Sequence, residues 1–163
     1  MMHRSPLKYC QRGAAAIEFG LLMLPLATLT LGITEFGRAF HQFNTVAKNV
    51  RDAARYQSTV AAGDTLGGRC LALTGFAANS NNACTVTTPL LPGLTLAQVS
   101  VCDRLSCPST NSLQPFPAVA GGGGGTLNLV TVTITGYQFT SMASFAVPTI
   151  TFGAIQATMV QPL

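Results

Sequence analysis

The sequence predicts an α+β protein. A long N-terminal helix, membrane-spanning in its first half and amphipathic in its second, carries a small C-terminal domain built on an antiparallel sheet. Three observations predict it. No residue from 19 to 33 is charged. Beyond that run, apolar side chains recur at three- and four-residue steps, the period of a helix with one apolar face. Near the C-terminus Val130, Val132 and Ile134 alternate with Thr131, Thr133 and Thr135, the period of a strand with one buried face.

Composition narrows the class. Only 9% of the 163 residues are charged, and mean hydropathy is +0.39. Both values are too apolar for an ordinary soluble domain, and fit one lipid-facing segment joined to a Ser/Thr/Asn/Gly-rich remainder. The formal net charge of +4 is mostly a property of the head, where Arg4, Lys8 and Arg12 stand without an acid. Residues 14–163 hold six basic and five acidic side chains. No basic face with interleaved aromatics follows, so nucleic acid is not an expected partner.

The chain divides into four stretches. Residues 1–13 are a short basic head, read as a leader or cytoplasmic extension. Residues 14–37 supply the roughly 20 apolar residues that a bilayer core requires of a helix. Pro25 removes one helical hydrogen bond there, and Thr28 is close enough to help compensate. Residues 38–62 continue the helix as an amphipathic extension, with Phe36, Phe40, Phe43, Ala47, Val50 and Ala54 on one stripe and Gly63 as the stop. That stripe is expected to pack on a partner or on the chain's own C-terminal domain. Residues 63–163 form an exported, loop-rich and β domain.

Within that domain, residues 64–125 read as irregular, with short strands at 85–87 and 95–101. The five glycines at 121–125 read as a flexible loop and not as a phosphate loop, since no Lys-Ser/Thr and no helix follow. The best strand covers residues 127–139. A second covers 149–160, its phase switching at Gly153 as a bulge would require.

Five cysteines are present. Cys10 lies in the head; Cys70, Cys84, Cys102 and Cys107 lie beyond the apolar run. An even set in an exported, loop-rich region points to two disulfides. Four cysteines allow three pairings, of which Cys70–Cys84 with Cys102–Cys107 is the simplest. Free thiols and a zinc site are the alternatives, the latter weakened by the absence of a C-x-x-C pair.

The inventory for catalysis is poor. The histidines are His3 and His41, and the acids are Glu18, Glu35, Asp52, Asp64 and Asp103. They form no acid–base pair and no nucleophile set, so the sequence argues against an enzyme, a cofactor or a small-molecule substrate. His41 reads as a surface or interface residue. Asp64 and Asp103 lack the loop that a calcium site requires. No metal site is expected.

Glu18 is the exception to the apolar run. An acid in a lipid-spanning helix is costly and usually functional, unless it lies near enough to the end to reach the surface. A peptide cut between Gly13 and Ala14 would create an α-amine one helical turn from Glu18, on the same helix face. That amine could pair with Glu18 in its own chain or in a neighbour, fixing axial register between subunits. The small residues at 13–16 would admit a protease to the backbone.

The run Arg12-Gly13-Ala14-Ala15-Ala16-Ile17-Glu18-Phe19 through Leu24-Pro25 carries a resemblance. Gly32-Ile33-Thr34-Glu35-Phe36-Gly37-Arg38 and Val50-Arg51-Asp52-Ala53-Ala54-Arg55-Tyr56 extend it. Together these residues resemble the TadE-like family, minor pseudopilins of the tight-adherence (Flp-type) pilus machinery. The resemblance implies that a prepilin peptidase recognises Gly13 and cuts before Ala14, and that Glu18 is the acid at the fifth mature position. Phe19 stands where major Flp pilins have Tyr, which fits a minor component. Further implications are a single-pass protein in the bacterial cytoplasmic (inner) membrane, its C-terminal domain outside the cytoplasm. The implied partners are membrane lipid, the prepilin peptidase, and other pseudopilins and pilus assembly proteins. Charge counting alone leaves the topology open, because Arg38, Lys48, Arg51 and Arg55 follow the span. An anchored exported domain with an uncut leader, such as an adhesin or envelope-binding module, is the other reading.

Overall fold

Helix α1 runs unbroken from Arg12 to Gln57, 46 residues, or about 69 Å at 1.5 Å per residue. The computed structural model describes residues 12–78, 83–107, 114–116, 125–144 and 147–161. The basic head before Arg12, with Cys10, and Gly121–124 of the glycine run lie outside the described residues.

Pro25 lies inside α1 without ending it. The Thr28 hydroxyl donates to the Pro25 carbonyl at 2.9 Å, not to the Leu21 carbonyl, which lost its donor to the proline. Thr30 donates to the carbonyls of Leu26 and Ala27, and Thr34 to those of Thr30 and Leu31. Each hydroxyl of this apolar stretch therefore finds an acceptor on its own helix, as a non-aqueous surrounding demands.

The helix stops five residues before the expected end. Its last α-type bond is Ser58 N–H to Ala54 O at 2.9 Å, after which Thr59 and Val60 bond three residues back. The Ser58 and Thr59 hydroxyls donate to the carbonyls of Arg55 and Tyr56. These side chains compete with the backbone for the last acceptors and close the helix. Gly63, at φ +95, serves the following turn.

A second helix, α2 (Leu66–Thr74), stands where the sequence reads as irregular. Gly75 ends it at φ +81, its N–H bonded to the Leu71 carbonyl. It packs closely on the end of α1: a Cβ at Gly67 would stand 2.7 Å from the Tyr56 ring, and one at Gly68 2.5 Å from Gln57 Oε1.

The sheet is antiparallel and centred on β3 (Gly125–Ile134). Strand β1 (Val99–Cys102), which follows a 3-10 turn at Leu96–Gln98, pairs one edge of β3, with Val99 opposite Ile134. Strand β6 (Ile155–Gln161) pairs the other edge, from Asn128–Gln161 to Ile134–Ile155. Strand β2 (Gln114–Phe116) pairs the start of β3. A two-stranded ribbon of β4 (Gln138–Phe139) and β5 (Ile150–Thr151) lies apart.

Two expected strands are thus each divided. The one at 127–139 breaks at Gly136, whose φ of +69 turns the chain out of the sheet. The one at 149–160 breaks around Gly153 into β5 and β6, which join different sheets, so the phase switch is a change of partner and not a bulge. Residues 85–87 form no strand; Ala78 and Cys84 make an isolated bridge beside them.

Val130, Val132 and Ile134 of β3 point inward onto Val46, Val50, Ala53 and Ala54 of α1, with Val99, Val101, Ala72, Leu73 and Ile155 completing the core. Thr131 and Thr133 of β3 face outward, and Thr131 meets Thr158 of β6 hydroxyl to hydroxyl at 2.9 Å. The helix face that meets this core is not the predicted stripe. Val50 and Ala54 belong to both, and Phe43 stacks edge-on to Phe152 at 5.6 Å. Phe36 and Phe40 remain exposed. The buried face instead runs through Glu35, Ala39, Val46, Asn49, Ala53 and Gln57, about a quarter turn away. Its polar members hide it from a hydrophobicity pattern.

Candidate functional site

The described chain has two unequal parts. From Glu35 onward, α1 is covered on one side by the sheet domain. Before Glu35 it stands free, with Ile17, Phe19, Leu21, Leu22, Leu24 and Leu29 all exposed. Contiguous apolar surface on this scale marks a membrane or partner contact. The helix is long and apolar enough to cross a membrane.

Gly13, Ala14, Glu18 and Phe19 lie on the exposed N-terminal turns of α1. Because the helix already includes Gly13 and Ala14, the α-carbons of Ala14 and Glu18 are one turn apart on one face. The first turn carries no acidic residue. The peptide N–H groups that open a helix have no partners within it.

The junction between free and covered helix is a cluster absent from the sequence reading. Glu35 is buried, and both of its oxygens accept from Arg38 Nη1, at 2.8 and 2.9 Å. The backbone N–H of Met142 also donates to Glu35, at 3.3 Å. Arg38 Cζ lies 5.5 Å over the Phe139 ring, a cation–π contact. The 139–144 loop is therefore clasped to the helix at the first covered residue. The spacing of Glu35 and Arg38 on a helix signals the pair; nothing in the sequence signals Met142.

Beside this clasp a cleft of about 300 Å³ opens between Arg38, Gln42, Gln98, Tyr137 and Gln138. The Tyr137 hydroxyl donates to Gln42 Oε1 at 2.9 Å, and burial pushes its pKa up. Of the residues named in the sequence, Arg38 lines it; Gly13, Ala14, Glu18, Phe19 and the four distal cysteines do not. His41 is exposed on α1 nearby.

The four distal cysteines come together in pairs. Cys70 on α2 is bonded to Cys84, with Cα atoms 5.2 Å apart. Cys102 at the end of β1 is bonded to Cys107, at 5.1 Å. Between the latter two, Asp103 is buried and holds the turn. Its carboxylate accepts from the N–H groups of Gly63, Leu105 and Ser106 and from the Ser106 hydroxyl. Burial alone would raise its pKa; the bonds from Gly63 and Ser106, then Leu105, outweigh it and hold the carboxyl below the usual value. Asp103 thus clamps the turn after α1 to the end of β1.

Comparison with known proteins places these features. Residues 13–55 match the family model described as TadE-like protein. The match covers about a quarter of the chain, and it takes in the free apolar helix, the Glu35–Arg38 junction and most of the helix face under the sheet. No curated protein and no solved structure matches the chain. The chain carries a TadE-like segment over residues 13–55, and this segment lies on an apolar N-terminal helix that fits a membrane-anchored component of a tight-adherence pilus.

Proposed function

We propose that this protein is a minor pseudopilin that helps assemble a tight-adherence (Flp-type) pilus. In this reading residues 1–13 are a cytoplasmic leader, α1 spans the inner membrane once, and the domain that follows is exported. A membrane-embedded prepilin peptidase cuts between Gly13 and Ala14. The new amine at Ala14 meets Glu18, of its own chain or of a neighbouring pseudopilin, and Phe19 packs beside it. The observation that carries the proposal is the TadE-like match lying on a helix that extends free of its own domain. The disulfides support export, since such bonds persist in oxidising compartments.

An uncut leader on an anchored adhesin or envelope-binding module is the second reading. The helical state of Gly13 and Ala14 favours it, because a protease needs this backbone extended. Against it, the bond follows Gly13 in the first turn of the helix, where opening costs little.

Mass spectrometry of the protein purified from membranes of cells with the pilus peptidase separates the two. The expected N-terminus is Ala14, and Gly13→Lys abolishes the cut. An intact N-terminal head in those cells would overturn the processing step.

A further inference from the structure

Helix length and domain contacts together fix where a membrane surface would lie. Residues 14–34 rise about 31 Å as a helix, close to the roughly 30 Å hydrocarbon core of a bilayer. Glu35, the next residue, is the first to be covered by the domain. The loop clasped there, through Met142 N–H to Glu35 and Phe139 to Arg38, is the part of the domain at the level of this exit plane.

That loop is built unlike a water-facing one. Met142 is 84% exposed, although its own backbone is pinned. Phe36, one residue past the plane on α1, is 69% exposed. Residues 105–163 contain no charged side chain, so neither does the loop. The other charges lie further off: Lys48, Arg51, Asp52 and Arg55 begin about 20 Å further along α1, and Asp64, Arg69, Asp103 and Arg104 follow the helix end. Glu35 and Arg38, the charges at the plane, neutralise each other. Setting this end on lipid headgroups therefore desolvates no unpaired charge.

We propose that the C-terminal domain rests on the outer lipid surface through the 139–144 loop, with Met142 and Phe36 in the interfacial layer and Glu35–Arg38 marking the level at which α1 leaves hydrocarbon. The partner is the bilayer surface itself, continuous with the apolar helix below. The proposal rests on the membrane-anchor reading. It adds that the domain does not swing clear of the membrane.

The protein contains no Trp, so single replacements give single reporters. The full-length protein is reconstituted in phosphatidylcholine–phosphatidylglycerol vesicles, with phospholipids brominated either near the headgroup or deep in the chains. Phe19→Trp tests the anchor and should be quenched by lipid. Leu105→Trp, exposed beside Gly63 beyond the helix end, should not be. Met142→Trp, and independently Ser144→Trp at a second exposed position of the same loop, should be blue-shifted and lose emission with the shallow bromines. Emission from both loop reporters unchanged by bromine, with Phe19→Trp quenched, overturns the seating and leaves the anchor standing. A blue shift without bromine quenching means that protein, such as a second copy, covers the loop, and also overturns it. An unquenched Phe19→Trp overturns the anchor reading and the seating together.

Discussion

Asp103 illustrates how much one side chain can hold. It is buried between two cysteines that bond each other, and its two oxygens serve three backbone N–H groups and a hydroxyl. Asp103→Ala would leave those buried donors unpaired and should cost about 2 kcal/mol or more, read from urea unfolding of the reconstituted protein. The pH dependence has a definite sign. The folded pKa lies below the ordinary one, so the folded state binds its proton less readily than the unfolded state. The stabilisation is complete above the unfolded value near pH 4, and it is lost as pH falls through the lower folded value. Asp103→Asn should flatten that acid limb; an unaltered limb would mean another carboxylate dominates it.

Elements show where the sequence was legible. The strand alternation at Val130–Val132–Ile134 is plain because every inward residue is apolar and every outward one is Thr. The free helix is plain because no residue from 19 to 33 is charged. α2 left no such mark. It has nine residues, two of them Gly, and its buried residues are Gly67, Gly68, Cys70, Ala72, Leu73 and Thr74, of which only Leu73 is a large apolar side chain. Its glycines are there for contact: Gly68→Val would drive a side chain into Gln57, which is itself fully buried. The expected cost is about 1–3 kcal/mol of overpacking, seen as a lower urea midpoint with an unchanged slope. The rotation of the α1 face was illegible for another reason. Glu35, Asn49 and Gln57 are buried because partners distant in sequence bond or cover them, and Met142 is 107 residues from Glu35. At the candidate site, Gly13 and Glu18 stand out by motif alone, and their roles belong to the proposal above. The Glu35–Met142 clasp, a tertiary contact, was not.

On the scale of the whole molecule, the two disulfides bracket the sheet domain near its beginning. Alkylation without reductant should leave Cys70, Cys84, Cys102 and Cys107 unlabelled. The leader carries Cys10 away if it is cut after Gly13, so the uncut chain should take one label and the processed chain none. Two labels or more in the processed chain would refute the pairing. Replacing Cys70 and Cys84 together by Ser opens a loop of 14 residues and should cost about 3 kcal/mol by the chain-entropy relation.

The place of β6 in the fold has a consequence for the order of biogenesis. This strand comes at the end of the described chain, yet it fills one edge of β3 and packs against α1. Its Gln161 donates to the carbonyls of Val60 and Gln57 and accepts from Asn128, locking the helix end to the sheet. The domain therefore cannot close while residues 155–161 are still in the ribosome or the translocon. The apolar helix emerges from the ribosome well before that strand. On the membrane-anchor reading proposed above, anchoring would precede folding, and the domain would cross the membrane as an open chain that completes itself only on arrival.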